Sequence, residues 1–141
     1  MSSLSSGIAA ILTDAGYLPH TEANDVEFKV EGRPITFQTF AGDDTYARML
    51  SVYQLPDGAS YARALSLANA NNLRAKAVKT SLDEKARLAI FSIEQFVDNA
   101  DLLRPSLERG LAAIRLASDN FFEDLRAAKA RKKRKEHEPT E

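Results

Sequence analysis

Chemistry in a protein needs side chains that can hold a metal, move a proton or attack a substrate. This chain of 141 residues contains few of them in useful arrangements. Its two histidines are His20 and His137, and it has no cysteine. Neither histidine sits within a ligand-spaced cluster of Asp, Glu or Cys, so no metal centre is expected. The acidic pairs Asp43-Asp44 and Asp83-Glu84 could offer an acid and a base, but both fall in predicted hairpin turns. Asp is favoured there for turn geometry. Nothing in the pattern buries either pair or splits its pKa values, as acid–base catalysis requires. The six glycines are scattered singly, so no phosphate-cradling loop is present in the sequence. No catalytic residue, cofactor or small-molecule substrate is expected, and the chain reads as a non-enzyme.

The bulk properties are those of one small globular domain. At 141 residues, with 28% charged and 44% hydrophobic side chains, the chain can build one core and is not a disordered polymer. The opening MSSLSSGIAAIL has no basic residue, and Ser5, Ser6 and Gly7 interrupt it, so no secretory signal is expected. No run approaches the apolar length of a membrane span, and the expected location is the cytoplasm. The net charge of −1 conceals a split. Residues 1–128 carry 13 basic and 17 acidic groups, whereas residues 129–135, KARKKRK, carry six basic ones. We therefore expect one domain over residues 1–128 and a basic, charged tail over residues 129–141.

Leu4, Ile8, Ile11, Leu12 and Ala15 recur at helical spacing, and Gly16-Tyr17 supplies a left-handed stop for a helix over 3–15. Val26, Phe28 and Val30 alternate with charged residues as in a half-buried strand. Glu31-Gly32 then turns the chain into a second strand, ITFQTF, and a third covers 45–55. After Pro56-Asp57-Gly58, with Asp57 or Ser60 as cap, Tyr61, Ala64, Leu65, Ala68 and Asn72 line one side of a helix. Two strands, 75–82 and 87–96, form a hairpin, and Leu107 to Ala128 steps by threes and fours through a closing helix. The fold expected is α+β, in the order α-βββ-α-ββ-α, with a five-stranded antiparallel sheet packed by helices on one face.

Asn69, Asn71 and Asn72 crowd the end of the middle helix. Asn69 and Asn72 are candidates for structural hydrogen bonding to backbone at that helix end. The third and fifth strands are apolar on both faces. Met49, Tyr53 and Leu55, with Phe91 and Ile93, are the candidate surface for a protein partner or a second subunit. The tail residues Lys129, Arg131, Lys132, Lys133, Arg134 and Lys135 are candidates for electrostatic binding of nucleic acid or an anionic surface. No aromatic is interleaved with them, so base stacking is not indicated, and nucleic acid is the disfavoured alternative.

The order of elements resembles the YbjN family, described as bacterial sensory transduction regulators, which shares its fold with class I type III secretion chaperones. The resemblance spans about residues 4–126. It rests on ILTDAGY, VEFKVEGRPITFQTF, the ALSLANANN helix feeding AKAVKTSLDEKARLAIFSIEQF, and the closing helix with FFEDL. Leu67-Ala68-Asn69 with Asn72 looks like the family's L-A-N-x-x-N segment, although Asn71 stands where an apolar residue is expected. The resemblance implies a non-enzymatic, chaperone-like or regulatory module that binds a protein client and acts as a homodimer.

Overall fold

Local signals in the sequence convert directly into elements of a computed structural model, which describes residues 3–137. Helix α1 spans Ser3–Asp14 and buries Leu4, Ile8, Ile11 and Leu12. It stops where expected. Gly16 takes φ 95°, Tyr17 N–H donates to Leu12 O and Gly16 N–H to Thr13 O, the two bonds of a Schellman motif. The chain then forms β1 (His20–Glu22), β2 (Asp25–Val30), β3 (Arg33–Phe40) and β4 (Asp43–Gln54) as a meander. Glu31 and Gly32 both have positive φ, the requirement of a two-residue hairpin turn. Ser60 caps α2 (Tyr61–Arg74) by accepting a hydrogen bond from Arg63 N–H. Strands β5 (Lys79–Asp83) and β6 (Leu88–Phe96) follow. A 3-10 turn over Ala100–Ser106 then leads into α3 (Leu107–His137).

All neighbouring strands are antiparallel, in the order β1-β2-β3-β4-β6-β5. The sheet has six strands, not the five expected. The additional strand β1 is only His-Thr-Glu, too short and too polar to show alternation in sequence. The hairpin β5–β6 joins with β6 against β4, which makes both β4 and β6 interior strands of the sheet.

One face of this sheet holds the core. Phe91 meets Phe121 of α3 at 5.7 Å between ring centroids, Tyr53 meets Phe122 at 5.5 Å, and Tyr17 meets Phe28 at 5.2 Å. Gly110 lets α3 lie against Met49 and Ile93. A Cβ at Gly110 would come within 2.9 Å of Met49 Cε. Helix α3 runs without a break through Lys129–Lys135, so the basic stretch continues the closing helix as its last turns. The last core contact on it is Ala128. Residues 138–141 of the expected tail and residues 1–2 of the expected domain lie outside the described residues.

Candidate functional site

The interior strands β4 and β6 expose their two faces to different surroundings. Cross-strand pairs Met49↔Ile93, Ser51↔Phe91 and Tyr53↔Ala89 turn towards the helices. The intervening pairs Tyr46↔Phe96, Arg48↔Glu94, Leu50↔Ser92, Val52↔Ile90 and Gln54↔Leu88 turn the other way by strand alternation.

That geometry corrects the candidate surface. Met49, Leu55, Phe91 and Ile93 are all buried, and Tyr53 is half-buried against Phe91 and Phe122. They form the floor beneath α3. The physical reason is that a doubly apolar strand reveals which residues share a face, but not which face the helices cover. The exposed apolar set has the opposite parity. Phe96 is 85% exposed, and Phe40 and Val52 are also exposed, while Leu50 is buried among its neighbours on that face. Phe40, Tyr46 and Phe96 pack in a row with their rings tilted, at centroid separations of 5.3 and 5.6 Å. A signal for this choice was present in the sequence. Arg48, Gln54 and Glu94 share parity with Leu50, Val52 and Phe96, and long polar side chains mark a solvent face.

Beside the aromatic row runs a band of charge. Lys79 Nζ donates to Glu94 Oε1 at 2.6 Å, and Arg48 Nε lies 3.9 Å from the same oxygen. The hydrogen bond from Lys79, then one from Tyr46, holds the Glu94 carboxyl below the usual carboxylate range. Tyr46 is pushed up, by desolvation first and by Glu94 second. The open face is therefore apolar at the aromatic end, charged across the middle, and apolar again around Val52, Ile90 and Leu88.

Other surfaces carry less. A cleft of about 210 Å³ opens between the β2–β3 turn and α3, with Val30, Ile35, Tyr53, Leu111 and Ile114 in its lining. Its rim charges are already paired, Glu31 with Arg115, and Arg33 with Asp119 at 2.9 Å. His20 lines a second cleft, of about 440 Å³, with Tyr17, Leu18 and Phe28. Among the described residues no group of three or more His, Cys, Asp or Glu could hold a metal ion. The side chain of His137 lies outside the described ones. Among the described residues no helix is long and apolar enough to cross a membrane. Lys129, Arg131, Lys132, Lys133, Arg134 and Lys135 are all exposed on the final turns of α3.

The asparagines divide their work. Asn69 is exposed. Asn72 Nδ2 donates to Thr80 O at 3.0 Å, and Thr80 N–H donates to Asn72 Oδ1 at 2.6 Å. Asn71 is 1% exposed and donates from Nδ2 to Thr80 Oγ1 at 2.9 Å and to Ala117 O at 3.1 Å. Asn71 thus fixes α2 to both β5 and α3, a role that helical spacing alone did not disclose. Its position i+3 from buried Ala68 was the available clue.

No family model and no curated protein matches the sequence. Solved structures do. E. coli YbjN superposes with a TM-score of 0.58 at 15% identity, covering 81% of this chain and 90% of YbjN. The chain has the fold of YbjN. This YbjN-like fold also appears in an uncharacterized protein from Methanothermobacter thermautotrophicus. There the TM-score is 0.63 at 14% identity, over 88% of this chain and 97% of that one. It appears again in the complex of the Yersinia pestis type III secretion chaperone SycH with a stable fragment of YscM2. That match has a TM-score of 0.53 at 10% identity, over 81% of this chain and 98% of that one. The expected likeness to YbjN and to type III secretion chaperones therefore holds at the level of the fold.

Proposed function

We propose that this protein is a non-enzymatic, chaperone-like module of the cytoplasm that binds a protein client and works as a homodimer. The observation that carries the reading is the open sheet face. Phe40, Tyr46 and Phe96 form an aromatic row there, while the core helices pack on the opposite side. A soluble fold gains nothing by leaving a ring such as Phe96 85% exposed beside two others unless something covers it. That the occupant is polypeptide is supported by the SycH structure of the same fold, solved with a bound protein fragment. The second copy is assigned to the helical side, where Leu65, Leu73 and Leu116 are half or more exposed on α2 and α3.

A permanently unfolded, carboxymethylated polypeptide serves as probe for the client. Phe96→Glu should weaken its binding about 10-fold or more, since full burial of one Phe contributes about 1.5–3 kcal/mol. The variant should leave the sedimentation mass unchanged, whereas Leu73→Glu should halve it. Equal probe binding by wild type and Phe96→Glu would remove the open face as the client site. Sedimentation of the wild type as a monomer at high concentration would remove the dimer.

A second reading draws on the exposed cations of α3. Six of them within residues 129–135 would bind polyanions by charge alone. It requires binding that weakens steeply with salt and is lost when those six are made neutral.

A further inference from the structure

The sheet has two edges, and they are finished differently. On one side β1 covers only Asp25, Val26 and Glu27 of β2. On the other, β5 is the last strand, and its residue Thr80 stands opposite Phe91 of β6. Both backbone groups of Thr80 are engaged by the Asn72 side chain, the C=O at 3.0 Å and the N–H at 2.6 Å. In an antiparallel strand a residue points its N–H and C=O to the same side, so these two groups are the ones a further strand would use. A carboxamide offers one donor and one acceptor in a plane, as a peptide group does.

We propose that Asn72 is a strand surrogate, a built-in contact that closes the β5 edge to pairing with another strand. Three neighbouring features support its placement. Asn71 holds Thr80 from the core side through Oγ1, so the strand cannot slide relative to the end of α2. Ala75 N–H bonds Asn71 O, which ends α2 at the turn that presents both asparagines. Two residues before Thr80, Val78 N–H is taken by Lys76 O at 2.8 Å across Ala77, whose φ is 62°. The backbone donors at 78 and 80 are therefore both consumed inside the chain. An edge strand is the ordinary place for self-association and for capture of extended peptides. Here that route is obstructed at residues 78 and 80, the first half of the β5 edge, and a partner is left with the open face or the β1 side. Asn72 would then determine how partners approach as well as how α2 ends.

The test is Asn72→Ala, studied by sedimentation over a wide concentration range together with hydrogen exchange at the Thr80 amide. In dilute solution that amide should exchange about five- to tenfold faster than in wild type, the loss expected for one hydrogen bond. As concentration rises, species of at least twice the wild-type mass should appear and the Thr80 amide should regain protection. Asn69→Ala, on the exposed side of the same helix, should change neither quantity. Should the alanine variant fail to fold, Asn72→Ser carries the same test, because its hydroxyl is too short to span both groups of Thr80. Unchanged Thr80 exchange in the dilute variant would overturn the proposal. So would a variant whose Thr80 amide is fast at every concentration while the mass stays that of wild type.

Discussion

Replacing Asn71 by alanine should cost about 2 kcal/mol of folding stability, and each part of that figure has a structural source. The side chain is 1% exposed, so water cannot replace what it loses. Its Nδ2 makes two hydrogen bonds, to Thr80 Oγ1 at 2.9 Å and to Ala117 O at 3.1 Å. At about 1 kcal/mol net for each, their loss accounts for about 2 kcal/mol. The vacated carboxamide leaves a cavity of roughly 40 Å³, adding about 1 kcal/mol by the cavity relation. Against this, alanine is the better helix former by about 0.6 kcal/mol. The desolvation cost of the buried amide also disappears and returns a few tenths more. For a chain of 141 residues the net loss corresponds to a fall in Tm of about 7 °C. Urea unfolding gives the free energy directly, and an unchanged slope would show that only stability moved. A loss below about 0.5 kcal/mol would refute the reasoning. Asn71→Leu adds a second check, because it fills the space but strands Thr80 Oγ1 without its donor. It should remain less stable than wild type, and a gain in stability would show that packing alone matters at this position.

Two further outcomes follow from unpaired and paired polar groups. Ser51 Oγ is buried without a hydrogen-bond partner among the described residues. Ser51→Ala should therefore raise stability by about 1 kcal/mol in urea unfolding, and a destabilised variant would reveal an unrecognised partner. Glu94 has a folded pKa lowered by Lys79 and then Tyr46, so its contribution is present above the ordinary Glu value of about 4.3 and fades as pH falls through the lowered one. Because the pair is solvent-screened, Glu94→Gln should cost no more than about 0.5 kcal/mol at pH 7. The gap between the two proteins should close in acid, and a gap that widens below pH 4 would contradict the assigned direction.

Much of the architecture could be read from the chain because its signals are local. Gly16-Tyr17 ends α1, and Glu31-Gly32 turns β2 into β3, through backbone geometry that a few residues determine. The same locality explains what was not legible. β1 has three polar residues and exists only because β2 offers it a partner. The choice of sheet face depends on where α3 lands, and a helix that begins beyond the 3-10 turn leaves no mark on the alternation of β6. Alternation alone therefore points to Met49, Tyr53, Leu55, Phe91 and Ile93, which lie on the side that α3 covers. Among the asparagines, spacing could not separate exposed Asn69 from buried Asn71 and from Asn72 at the sheet edge. The stretch from Leu55 to Leu82 was legible as a strand–helix–strand junction. Its hold on β5, through side chains crossing to Thr80, was not.

Helix α3 continues from its last buried residue, Ala128, to His137, a further reach of about 13 Å. The positive groups of residues 129–135 are thereby held at a distance from a body that is acidic over residues 1–128. The protein is consequently a permanent electric dipole whose size a net charge of −1 does not convey. In the field of any charged surface or partner such a particle experiences a torque before it experiences contact. A charged surface or partner would therefore bias the approach towards one end of α3 before any contact forms.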